Sequence, residues 1–163
     1  MALDITVGGP ASDSYCTVLE ADTYHTTRAA NPEWAAADVP TKETHLKWAA
    51  RQLDLMFRFH GRKATKEQAR QWPRNGAVDR DGFSLDDVPA IVKDAQAEYA
   101  LQLMREDWTQ GLGSIRDQGA TVGPLKTTPE RHVQIPASVI ALLRGVAVTS
   151  SGGGFSFVTA VRG

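Results

Sequence analysis

The sequence predicts a mainly α fold, a small helical bundle of about four helices with extended β-prone terminal segments. Three observations point there. Apolar residues repeat at three-and-four spacing along two stretches, 46–57 and 88–104. Capping residues, prolines and glycines bracket both stretches. Glycine-rich breaks at 8–9, 111–123 and 152–154 then set off segments that cannot continue a helix. At 163 residues the chain fits one domain with an extended appendage.

Residues 1–13 read as an N-terminal arm, flexible or strand-like, ending near Gly8-Gly9-Pro10. Residues 14–110 read as the helical bundle. Ser14 or Thr17 caps a first helix to about Ala29, and the Asn31-Pro32 step ends it. Trp34 to Ala37 makes one further turn. Thr41 caps the second helix, with Glu43 in its first turn, where a carboxylate suits the helix dipole. Leu46, Ala49, Ala50, Leu53, Met56 and Phe57 form its buried stripe. Trp48, Leu55 and Phe59 fall on a second face, which places this helix at the centre of its bundle or against another subunit. Gly61 stops it.

Thr65 then caps a short third helix that Pro73 ends. Asn75-Gly76 and Asp81-Gly82 are turn dipeptides able to flank a small hairpin. Asp86 and Asp87 cap the longest helix, with Pro89 in its first turn, running to about Trp108. Residues 111–148 read as a loop, a short strand within 122–128 and a last helix opened by Pro136, with Val139, Ile140, Leu142 and Leu143 on its apolar side. Residues 149–163 read as a flexible linker and a C-terminal β-prone arm. The strip 155–161 needs a partner for its backbone groups, either residues 122–128 or a neighbouring protein.

Little in the chain asks for catalysis. The net charge of −1 gives no global attraction to nucleic acid or anionic lipid. The single cysteine, Cys16, excludes an intrachain disulfide and suits a reducing compartment. With neither a signal-like leader nor a run of about 18 apolar residues, a soluble, intracellularly made protein is expected. The four histidines, His25, His45, His60 and His132, lack metal-ligand spacing and read as exposed or capping residues. Asp79-Arg80-Asp81-Gly82 fails as a calcium loop, because Ala77 and Val88 would fall where oxygen ligands belong. It reads instead as an Asp-Gly turn in which Asp79 or Asp81 satisfies nearby backbone N–H groups. His25 lies too far along the same helix to activate Cys16. Gly152-Gly153-Gly154 lacks what a phosphate loop requires. Glu98, Glu106 and Asp107 read as a solvated helix face. No catalytic, cofactor-binding or metal-binding residue is expected, and no enzyme.

One electrostatic feature stands apart. Arg58, Arg62, Lys63, Lys66, Arg70 and Arg74 face only Glu67 within residues 58–74, with Phe57, Phe59 and Trp72 interleaved. Basic groups for phosphates and aromatic faces for bases are what a single-strand binder needs. Arg58, Arg62, Lys63, Lys66 and Arg70 are therefore candidate DNA contacts. The stretch from Asp86 to Asp107 is acidic, and a chain with flanks of opposite charge can also pack head-to-tail into a ring. Solvated helix faces over buried aromatics are the plainer alternative.

Trp72-Pro73-Arg74, Gly76, Asp79-Arg80-Asp81-Gly82, Val88-Pro89 and the helix with Ala95, Glu98, Ala100 and Leu101 resemble a tailed-phage family. Ala49-Ala50-Arg51-Gln52-Leu53-Asp54, Gly61-Arg62-Lys63 and Ile135-Pro136 extend the likeness over about residues 14–144. The pattern is similar both to DnaT-like single-stranded DNA-binding proteins and to the head–tail connector (adaptor) proteins of long-tailed phages. The first resemblance implies single-strand binding in phage replication. The second implies a ring, a dodecamer, in the virion neck, assembled in the host cytoplasm. Its partners would be other copies of itself, the portal protein and a head-closure or tail-terminator protein. Double-stranded DNA would pass through without specific binding, and no membrane is involved. Charge near zero is poor for a free DNA binder, while a two-faced helix and a terminal arm suit ring assembly, so the sequence favours the adaptor. On that reading Arg70, Trp72, Arg74, Asp79 and Asp81 shape an elbow and an intersubunit contact. Phe155, Phe157, Val158 and Val161 would anchor the arm in a partner.

Overall fold

The computed structural model describes residues 2–28, 31–85, 87–107, 109, 121–122, 125–126 and 135–150. Helix α1 (Val18–Thr26) starts at Thr17, whose hydroxyl accepts from the Glu20 N–H while the Glu20 carboxylate accepts from the Thr17 N–H. That reciprocal pair satisfies two backbone donors at once. The short α2 (Pro32–Ala36) buries Trp34, and the indole N–H donates to Asp22. Helix α3 (Val39–Met56) begins earlier than the sequence suggests. Asp38 caps it rather than Thr41, accepting from the Thr41 N–H at 2.9 Å. Pro40 then sits in the first turn, where its missing N–H is no loss.

The expected stripe of α3 is buried, with Leu46, Ala49, Ala50 and Leu53 all closed to solvent. Its second apolar face is not. Leu55 is exposed, and Trp48 is half-buried beneath the Arg51 guanidinium, its N–H donating to Thr109. Phe59 is not helical at all. The chain leaves α3 after Met56 and becomes strand β1 (Phe57–Phe59), antiparallel to β6 (Ala147–Thr149) with Arg58 opposite Val148. Alternation buries Phe57 and Phe59 and turns Arg58 outward.

Strand β2 (Arg62–Lys63) pairs with β3 (Arg74–Asn75). Gly61, at φ +73°, makes this possible: a Cβ there would come within 2.6 Å of the Asn75 carbonyl oxygen. The helix expected from Thr65 does not form. Gln68 holds the segment instead, accepting from the Thr65 N–H and donating to the carbonyls of Arg70 and Pro73. These side-chain bonds replace a helical ladder. The Trp72–Pro73 peptide is cis. A Val78–Ser84 bridge then closes a small hairpin whose turn is the one read from Asp79-Arg80-Asp81-Gly82. Asp79 accepts from the N–H groups of both Asp81 and Phe83, and Gly82 takes φ +90°.

Helix α4 (Ala90–Arg105) follows Pro89 and ends before the expected Trp108. The Asp87 carboxylate bonds the Val88 N–H rather than capping α4, and Asp86 lies outside the described residues. With 16 residues against the 18 of α3, α4 is not the longest helix, but it is the central one. Every residue from Ala95 to Leu101 is buried, and α1, α2, α3 and α5 (Ala137–Leu143) all pack against it. Each large apolar side chain enclosed here contributes about 1.5–3 kcal/mol of burial. Pro136 opens α5 as expected, and Val139 and Leu143 are its buried residues.

The remaining pair, β4 (Thr121–Val122) and β5 (Leu125–Lys126), is antiparallel, so the strand expected within 122–128 is two arms of a hairpin. The C-terminal arm lies outside the described residues. Among the described residues no helix is long and apolar enough to cross a membrane.

Burial in α4 also overturns two expectations about polar residues. Glu98 is not on a solvated face; it is fully buried and ion-paired with Arg28, and Tyr24, Ser138 and Gln102 donate to its carboxylate. His25 is buried rather than exposed, donating from Nε2 to the Ala97 carbonyl and packing on Trp34. Both contacts tie α1 to α4.

Candidate nucleic-acid interface

Five of the six basic residues of 58–74 separate into two classes, and Lys63 falls between them. Arg70 and Arg74 are structural. Arg70 pairs with Asp54 at 3.1 Å and donates to the Ser12 carbonyl, joining the N-terminal segment to α3. The Tyr15 hydroxyl donates to the same carboxylate while accepting from the Gln71 N–H. Burial raises the Asp54 carboxyl above its ordinary pKa despite the opposing effects of Tyr15 and Arg70. Burial, and then the Asp54 charge, push the Tyr15 phenol well above its ordinary value.

Arg74 is 8% exposed, and its guanidinium donates to the backbone carbonyls of His60, Gly61 and Gln71 and to the Gln71 side chain. Two of these carbonyls, His60 and Gly61, lie where the chain reverses between β1 and β2, and the third, Gln71, lies in the segment just before β3. Desolvation lowers its pKa, yet a guanidinium remains charged at any relevant pH. Trp72 packs edge-on against Phe59 at 5.9 Å, both buried. Trp72 and Arg74 are thus buried and Arg70 half-buried, while Asp79 organises the adjacent turn and Asp81 is exposed on it.

Arg58, Arg62 and Lys66 form the other class. All three are exposed, and none has an ion-pair partner among the described residues. Lys63 is half-buried with its ammonium on the Gln68 carbonyl. The contrast has a plain origin. Arg58 and Arg62 take outward positions on strands whose inward neighbours, Phe57, Phe59 and Arg74, fill the interior. The interleaved aromatics Phe57, Phe59 and Trp72 are therefore core residues and offer no face to a base.

The topology enlarges this surface beyond the sequence segment. The His60 N–H donates to the Val146 carbonyl, continuing the β1–β6 ladder toward α5. Gly145 lies against the Arg80 side chain, so the 79–83 turn sits beside the start of β6. Arg80 and Arg144 are exposed and line one groove of about 720 Å3 with Asp79, Asp81, Leu85, Ile91 and Leu142 among its walls. Phe83, on the same turn, is 72% exposed and is the one exposed Phe, Trp or Tyr among the described residues. Neither Phe83 nor Arg144 was singled out by the sequence, because pairing across more than 60 positions brings them to this end of the molecule. The proposed anchors Phe155, Phe157, Val158 and Val161 lie outside the described residues.

No curated protein and no solved structure matches the chain. One family does, over residues 1–163, and its description is a single-strand binder. That finding overturns the preference for the head–tail adaptor, to which nothing lends support, and with it the ring, portal and neck-protein partners. Of the two resemblances read in the sequence, the one set aside is the one the whole chain matches. The chain belongs to the family described as "Putative DnaT-like ssDNA binding protein".

Proposed function

We propose that this protein binds single-stranded DNA through the exposed cations of the strand end, Arg58, Arg62 and Lys66, with Lys63 beside them, and that it acts by binding rather than by catalysis. The observation that supports this reading is that Arg58, Arg62 and Lys66 stand in solvent with no carboxylate partner among the described residues. The neighbouring Arg70 and Arg74 are spent on the interior. A phosphate backbone is the ligand such groups suit, because each contact releases condensed counterions. The overall charge of −1 does not oppose this, since the attraction is local and acts within about 8–10 Å at physiological salt. A single strand is favoured over a duplex by the family description.

Fluorescence anisotropy with a labelled single-stranded oligonucleotide and its duplex form tests the reading. The wild type should prefer the single strand, and Arg58→Ala/Arg62→Ala/Lys66→Ala should lose most of that affinity while remaining folded. Equal affinity of the wild type and the triple variant would refute the assignment of the interface. Absence of single-strand binding by the wild type would refute the function.

A further inference from the structure

We propose that Phe83 is a base-stacking residue of this interface, with Arg80 and Arg144 as the cations for the adjoining phosphates; the inference rests on the single-strand reading above. Three observations carry it. Phe83 is 72% exposed, whereas Tyr15, Trp34, Phe57, Phe59, Trp72 and Tyr99 are buried. The ring is held out by a constrained turn rather than a loose loop. The Phe83 N–H donates to the Asp79 carboxylate, its carbonyl accepts from the Asp79 N–H at 2.9 Å, and the Val78–Ser84 bridge lies one residue pair behind. Finally, the turn is continuous with the basic strip, since Arg80 lies against Gly145 and Val146 accepts from His60, two residues beyond Arg58.

An exposed aromatic on a fixed turn loses little freedom on meeting a base, and every base presents a face to it. Charge alone would not make this a phosphate site, because Asp79 and Asp81 line the same groove as Arg80 and Arg144. Stacking does not depend on that balance. The expected ligand is therefore one unpaired nucleotide, base against Phe83 and flanking phosphates toward the two arginines.

The test compares an oligothymidylate with an abasic oligonucleotide of the same length. Phe83→Ala should weaken the oligothymidylate about tenfold and leave the abasic strand unchanged, with Phe83→Trp restoring affinity. The salt dependence should not change, because no phosphate contact is lost. Equal losses on both strands, or no loss on either, would overturn the proposal while leaving single-strand binding intact. So would a Phe83→Ala variant that binds DNA normally but sediments at a smaller size, since the ring would then cover another copy of the chain. Failure of the wild type to bind any single strand would instead defeat the reading on which the proposal rests.

Discussion

Two regions of this molecule handle charge in opposite ways. Around α4, Glu98 is sealed from solvent, and Arg28, Tyr24, Ser138 and Gln102 satisfy it from three directions. At the strand end, Arg58, Arg62 and Lys66 are left in water with no partner among the described residues. Buried polar groups must be paired because desolvation costs more than the fold can spare. Exposed cations carry no such penalty, so nothing in the fold calls for their charge. The comparison therefore separates residues that hold the structure from residues free to meet a ligand.

Breaking the buried side should have the largest effect. Glu98→Ala takes the shared acceptor from the Arg28 guanidinium and from the Tyr24, Ser138 and Gln102 donors, and equilibrium unfolding should show a loss of about 3–5 kcal/mol. Affinity for oligonucleotide, measured on the folded fraction, should be unchanged. Arg74→Met comes next. It strips the donors from the His60, Gly61 and Gln71 carbonyls, at a cost of about 1–3 kcal/mol. Because the His60 and Gly61 carbonyls lie in the reversal between β1 and β2, which carry Arg58 and Arg62, binding should also weaken. Arg74→Met weakening binding with no loss of stability would place Arg74 at the DNA and blur the comparison.

A smaller effect belongs to His25. Burial holds its imidazole below the ordinary pKa of 6.5, so the unfolded chain takes up that proton before the folded one does. Stability should therefore fall as pH drops through 6.5 toward the lower folded value, and be fully present above it. Thermal midpoints at about pH 7.5 and about pH 5.5 should differ in the wild type, and differ less in His25→Gln. Smallest on stability should be Arg58→Ala/Arg62→Ala/Lys66→Ala, whose midpoint should match the wild type within error.

How much of this was legible beforehand depended on the range of the interactions. The α3 stripe at Leu46, Ala49, Ala50 and Leu53 was readable because helical periodicity is local. So was the Asp79 turn, whose bonds span two to four residues. Phe57-Arg58-Phe59 was misread because its apolar residues extend the three-and-four pattern of α3 as well as alternating at period two. The strand wins through pairing with Ala147–Thr149, distant in sequence. Glu98 was misread for the same reason. Its cation, Arg28, lies 70 positions away, and an acidic residue in a helix otherwise reads as solvated. The site followed suit. Composition marked the basic run, but only the strand register divides Arg58 and Arg62 from Arg74.

The most direct test of the central claim is the salt dependence of single-strand affinity, compared between the wild type and Arg58→Ala/Arg62→Ala/Lys66→Ala. If these three cations neutralise phosphates, the logarithmic slope should become shallower by about 0.7 for each contact removed, roughly 2 in all. A triple variant with the wild-type slope would contradict the account and move the DNA to another face.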